Sequence, residues 1–126
     1  MRIAFATAAT FLALTHASFA GQPFKPVQTV LISFDGAHDV VQWRRSLKLA
    51  EETGAKFTYF LNCSFLLSPE NKGRFDAPGN GNARSNVGFG KSQSDVSARL
   101  NQIWRAHVSG HEIASHTCGH FDGKDW

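Results

Sequence analysis

Three short apolar runs, separated by two amphipathic stretches, limit what this chain can fold into. Residues 27–34 (VQTVLISF) are apolar and β-branched with little alternation, which predicts a strand buried on both faces, and the run stops abruptly at Asp35 and Gly36. Val40, Trp43, Leu47 and Ala50 then recur at helical spacing, with Asp39 placed as the amino-terminal cap and Gly54 as the stop. Residues 57–63 (FTYFLNC), rich in aromatic and β-branched side chains, read as a second buried strand. A second helix is expected from about residue 94, capped by Ser94, to residue 108, with Val96, Leu100, Ile103 and His107 on one stripe and Gly110 ending it. Residues 111–115 (HEIAS) form a short third strand that delivers His116 at its carboxyl end. Strand, helix, strand, helix, strand is the order of parallel α/β units, whose ligand sites lie at the carboxyl ends of the strands. Asp35, Cys63 and His116 all fall there.

Between the second strand and the second helix, residues 64–90 hold Pro69, Pro78, Gly73, Gly79, Gly81, Gly88, Gly90 and several asparagines. This composition predicts a loop with at most a turn of helix, and loops of that length in compact domains usually cover a binding site.

Ahead of these elements, Arg2 precedes an apolar stretch over residues 3–14 and then small residues, with Ser18 and Ala20 acceptable to a signal peptidase. The stretch is shorter than the ~20 residues of a membrane-spanning helix. Residues 1–20 are therefore expected to be a cleaved secretory signal, 21–26 a linker, and 27–126 one small domain, periplasmic or secreted and without a stable membrane anchor. The formal net charge is +3, with lysines and arginines scattered, which argues against nucleic acid as a partner; Arg44, Arg45 and Lys48 mark the wet face of a helix. A hydrophobic share of 42% with 12% aromatics argues for a packed core. Cys63 and Cys118 can pair in an oxidising compartment, or stand as two free buried thiols; two cysteines make no disulfide framework.

His116 and His120 are four apart, in the segment His-Thr-Cys-Gly-His, where a strand hands over to a loop or first helical turn. On a helical turn that spacing puts both imidazoles on one side, close enough to share a divalent ion. Asp35 ends a neighbouring strand of the same sheet, and one carboxylate with two imidazoles makes an oxygen and nitrogen set suited to zinc or a similar ion. Such an ion polarises a carbonyl and activates water, and a carboxylate beside it can take the proton.

Two segments, Ser33-Phe34-Asp35-Gly36 and His116-Thr117-Cys118-Gly119-His120, together with the approach 110–115 (GHEIAS), resemble the first two motifs of polysaccharide deacetylases of the NodB-homology type. The resemblance spans residues 27 to 120. It implies the amino-terminal part of a distorted (β/α) barrel, and removal of acetyl groups from N-acetylated amino-sugar polymers such as chitin or peptidoglycan. By position it makes Asp35 the catalytic base, His116 and His120 the metal ligands, and Thr117 a residue that steadies the loop between them. It further implies a divalent metal ion, zinc, as cofactor and a polysaccharide or oligosaccharide as partner. Gly36 stands where the family has a second, metal-binding aspartate, so a third ligand must come from Asp39, His38, Asp35 itself or water. The family's later motifs do not follow before Trp126, so a truncated copy is expected; the Asp-x-x-Asp-Trp ending at 122–126 comes too soon after the histidines to stand for one of them. A non-catalytic carbohydrate- or metal-binding remnant is the other class consistent with Gly36.

Other signals point to plainer roles. His111-Glu112 with His116 places the second histidine five residues after the first and not four, so it is no zincin motif. Residues 88–92 (GFGKS) imitate the end of a phosphate loop, but Ser85 occupies the required first glycine and no strand precedes it. Phe57, Tyr59 and Phe60 are expected in the core, whereas Trp104 and Trp126 suit either core or sugar platform.

Overall fold

In a computed structural model, residues 26–122 are described; the expected secretory signal, most of the linker, and residues 123–126 with Trp126 lie outside them. The first element, β1 (Ser33–Phe34), leads into α1 (Val40–Thr53), and β2 (Thr58–Leu61) follows. The long loop carries two 3-10 turns (Cys63–Leu66 and Lys72–Arg74) and a small hairpin of β3 (Asp76–Ala77) with β4 (Gly81–Asn82). Then come α2 (Gln93–Val108) and β5 (Glu112–Ser115). The three longer-range strands form a parallel sheet in the order β1-β2-β5, with Phe34 opposite Tyr59 and Leu61 opposite Ser115. The expected mixed α/β order is present, with parallel strands and helical connections.

The ends of α1 follow local chemistry. The Asp39 carboxylate accepts hydrogen bonds from the Val41 and Gln42 amides (2.7 and 3.2 Å), and Gly54 takes the left-handed conformation (φ 71°) that closes the helix. Its buried stripe is Trp43, Ser46, Leu47 and Ala50. Trp43 stacks on Tyr59 of β2 at 4.1 Å and donates its indole N–H to the Ala37 carbonyl, so its polar edge is satisfied inside the core. With Phe57 and Ala106, these residues make one cluster over a single face of the sheet, joined by Phe34, Leu61 and Ile113.

Two expectations about the strands need correction. The run at 27–34 enters the sheet only at Ser33 and Phe34, and Val27, Val30 and Leu31 are exposed (85%, 71% and 92%). Ladder bonding needs a partner, and β2 begins at Thr58, whose amide reaches back no further than the Ile32 carbonyl (3.1 Å). Nor is β2 buried on both faces: Tyr59 is buried, while Thr58 and Phe60 on the opposite face are half-exposed, because both helices contribute to one core on one side.

A third correction concerns α2, which starts one residue earlier than expected and is capped by Ser92 rather than Ser94. The Ser92 hydroxyl accepts from the Asp95 amide (3.1 Å) while the Asp95 carboxylate accepts from the Lys91 amide (2.9 Å), a reciprocal pair close to a capping box. The buried stripe is Val96, Arg99, Gln102 and Ala106; Leu100 is 45% exposed and His107 is exposed. The helix is turned by about one residue from the apolar stripe. Arg99 lies on the inward face, where its guanidinium bonds the carbonyls of His38 and Phe65 and the Asp95 carboxylate. At the other end the His111 amide bonds to the Ala106 carbonyl and the Gly110 amide to the His107 carbonyl, with Gly110 at φ 79°, the Schellman arrangement that the glycine predicted. Gly90, in the stretch resembling a phosphate loop, is a packing residue: a Cβ there would lie 2.5 Å from Val96 Cγ2.

His111 is buried, and its Nδ1 accepts the Phe57 amide (3.1 Å), which requires a neutral ring. Burial, helped by the Lys56 charge, holds its pKa below the ordinary 6.5. The unfolded imidazole therefore takes up a proton that the folded one refuses, so its contribution is complete above about pH 6.5 and is lost as pH falls towards the folded value. Melting temperatures measured from about pH 8 to about pH 5 should fall less steeply in His111→Asn, which keeps an acceptor near Nδ1 but does not titrate. Equal slopes would show that His111 does not control this.

Candidate functional site

Each strand of the parallel sheet hands over to a chemically useful residue at its carboxyl end: Asp35 after β1, Asn62 after β2 and His116 after β5. Asp35, Asn62, His116 and His120 share the wall of an open cleft of about 350 Å³, with His38 and Phe65 at its side. The His116 and His120 rings are 4.9 Å apart between centroids, their planes inclined at 71°. The structure thus brings the three sequence-predicted residues, Asp35, His116 and His120, to one cleft. It does not draw them into a single ligand set, since among the described residues no three His, Cys, Asp or Glu side chains are gathered closely enough to hold a metal ion.

Of the other ligands the sequence left open, the Asp39 carboxylate is engaged in capping α1. The Gln42 and Val41 amides that it accepts lower its pKa below the ordinary carboxylate value. His38 stacks on Phe65 at 4.7 Å, and its carbonyl accepts from Arg99 Nε (2.7 Å). The cleft is thus lined by the imidazoles of His38, His116 and His120 with the Asp35 carboxylate and the Asn62 amide, nitrogen and oxygen groups of the kinds that metal sites use.

The histidine segment is held in a conformation it would not choose alone. Thr117 and His120 have φ of 57° and 55°, in the left-handed region that costs a non-glycine residue about 1–3 kcal/mol. Such backbone persists only where its surroundings over-determine it, and here every carbonyl from His116 to His120 accepts a hydrogen bond from another part of the chain. The Asn62 side-chain amide donates to the His116 and Thr117 carbonyls (2.7 and 3.0 Å), and the Ser64 amide to Cys118 (3.2 Å). Asn86 serves the remaining two, its backbone N–H donating to Gly119 (2.8 Å) and its side chain to His120 (3.2 Å). The strain at this histidine-bearing loop is thus offset by hydrogen bonds from both ends of the long connection between β2 and α2.

A covalent tie completes this anchoring. Cys63 and Cys118 form a disulfide, with Cα atoms 4.5 Å apart, joining the turn after β2 to the middle of the histidine segment. That Cα separation lies within the range a disulfide bridges. Of the two options the sequence left open, pairing is the one realised.

On the other side of Asp35 lies a second hollow, about 300 Å³, floored by Phe34, Trp43 and Tyr59 and edged by Ser33, Ser46 and Gln42. The Tyr59 and Ser46 hydroxyls bond each other at 2.8 Å, and burial raises the Tyr59 pKa. Asp35 sits on the boundary of the two hollows.

Asn62, Asn86 and Arg99 were not singled out from the sequence. Asn62 had a signal available, since it follows an apolar strand run just as Asp35 and His116 do. Asn86 and Arg99 had none, because a loop asparagine and a helical arginine read as surface residues.

No family model, curated protein or solved structure matches the chain. Fold and site together define a parallel α/β domain with a histidine-bearing cleft at the carboxyl ends of its strands.

Proposed function

We propose that this chain is a metal-dependent amidohydrolase that removes acetyl groups from N-acetylated amino-sugar polymers of the chitin or peptidoglycan kind. In this reading it carries the amino-terminal part of a distorted (β/α) barrel of the polysaccharide deacetylase type, exported to the periplasm or beyond. The observation that carries the reading is the strained, fully hydrogen-bonded His116–His120 segment opening on the same cleft as Asp35.

In such a site His116 and His120 would hold the divalent ion, zinc, through their imidazole nitrogens. The ion supplies Lewis acidity to the acetamide carbonyl and to a water molecule. Asp35 acts as general base, taking a proton from the attacking water and returning it to the departing amine. The aromatic floor beside Asp35 offers an apolar surface on which a sugar ring or acetyl methyl can rest. The disulfide and the Asn62 and Asn86 hydrogen bonds hold the backbone that carries the two imidazoles, which limits its reorganisation during the reaction.

The test is acetate release from N-acetylated glucosamine oligosaccharides by the zinc-supplemented protein. Release should fall to background in His116→Ala and in Asp35→Asn, the first with loss of zinc and the second with zinc retained. Release unchanged by His116→Ala would refute the proposal. Gly36, lacking the family's second carboxylate, favours an alternative reading, a carbohydrate- or metal-binding remnant without turnover; zinc and oligosaccharide binding with no acetate release would establish that one instead.

A further inference from the structure

We infer that the side-chain oxygen of Asn62 is the third protein ligand of the His116–His120 site, a neutral amide standing in for the carboxylate that Gly36 cannot provide. The inference rests on the proposal above that these histidines bind a divalent ion.

Asn62 is 2% exposed, and among the described residues its Oδ1 alone is a buried side-chain nitrogen or oxygen atom without a hydrogen-bond partner. Its orientation is decided by chemistry. The two atoms facing the Asn62 amide on one side are the carbonyl oxygens of His116 and Thr117, which only the –NH₂ can serve, so the acceptor oxygen points the other way. There it meets Gly36: a Cβ added to that glycine would lie 3.3 Å from Oδ1. The unused oxygen thus borders the position where a second aspartate side chain would begin, and it is bonded through its own amide to the backbone of a metal-binding candidate.

A buried acceptor shielded from water and lacking any donor is rare in native structures and calls for an occupant. The occupants an amide oxygen accepts are a hydrogen-bond donor or a hard cation, and asparagine oxygen is an ordinary ligand for divalent ions. With the two imidazoles that line the same cleft it would complete a mixed nitrogen and oxygen set, the imidazoles suited to zinc and the amide oxygen the harder, weaker donor.

The experiment is calorimetric titration of zinc into the full chain and into Asn62→Ala, Asn62→Asp and His116→Ala, each first shown to melt cooperatively. Asn62→Ala should bind zinc at least about tenfold more weakly. Asn62→Asp keeps an oxygen in the same place and adds a charge but, like Asn62→Ala, loses the donor to the two carbonyls, so it should bind zinc clearly more tightly than Asn62→Ala. If Asn62→Asp weakens as much as Asn62→Ala, the residue serves only to hold the two carbonyls and the ligand assignment is overturned. If instead His116→Ala leaves zinc binding unchanged, the underlying reading of the histidines has failed. Should the Asn62 variants not fold, the native protein still decides: the Asn62 side-chain amide resonances should shift in step with zinc occupancy, and unmoved resonances would overturn the assignment.

Discussion

Replacing Arg99 by methionine is expected to destabilise the fold by about 3–5 kcal/mol, the cost of breaking a buried ionic and hydrogen-bonded group from one side. Arg99 is 4% exposed, and its guanidinium serves three acceptors at once: the His38 carbonyl through Nε (2.7 Å), the Phe65 carbonyl through one terminal nitrogen, and the Asp95 carboxylate through the other (3.0 Å). Methionine keeps much of the aliphatic volume but none of the donors, so the buried Phe65 carbonyl and the part-buried His38 carbonyl lose their Arg99 donor and Asp95 loses its ion pair. Arg99→Lys preserves the charge yet offers a single donor centre that cannot span the same fork, and it should lie between the two. The measurement is the urea midpoint at constant slope. A loss below about 1 kcal/mol for the methionine variant would show that solvent replaces these bonds readily. Because Arg99 ties α2 to the loop after β1 and to the turn after β2, His38 and Phe65 beside the cleft should loosen together in the same variant.

Removal of the Cys63–Cys118 disulfide by the double substitution Cys63→Ser, Cys118→Ser should cost about 4 kcal/mol, the chain-entropy value for a loop of this length. The sequence separation is 55 residues, so the bridge closes most of the long loop, α2 and β5 into one ring and restricts the unfolded chain accordingly. Reduction of the native protein should produce the same loss in thermal or denaturant melts, and thiol alkylation of the oxidised chain should fail until a reductant is added. A double variant as stable as the parent would mean that hydrogen bonds from Asn62, Ser64 and Asn86 are sufficient by themselves.

Several of these features were readable in advance and several were not, for identifiable reasons. The cap at Asp39, the stop at Gly54, the turn at Gly110 and the stripe of Trp43, Leu47 and Ala50 depend on near neighbours in sequence, and each is found as expected. The extent of residues 27–34 in the sheet was misjudged because an apolar run reports a tendency to be buried and not the presence of a partner strand. The face of α2 was misjudged because hydrophobic periodicity discounts arginine, and here the arginine goes inward. Asp35, His116 and His120 were found by their position after strand runs; Asn62 holds the equivalent position and was passed over because a lone asparagine carries no motif.

By itself, then, the sequence determined the order of parallel α/β elements, their local stops and starts, and the residues placed at the strand ends. Only the tertiary structure decided that Cys63 bonds to Cys118, that Asn62 and Asn86 brace the histidine segment in left-handed backbone, and that Arg99 is interior. Local pattern encodes a residue's preference for helix, strand or cap, because those preferences are set within a few residues. Which distant donor meets which carbonyl depends on how the chain closes upon itself, and no window of sequence contains that distance.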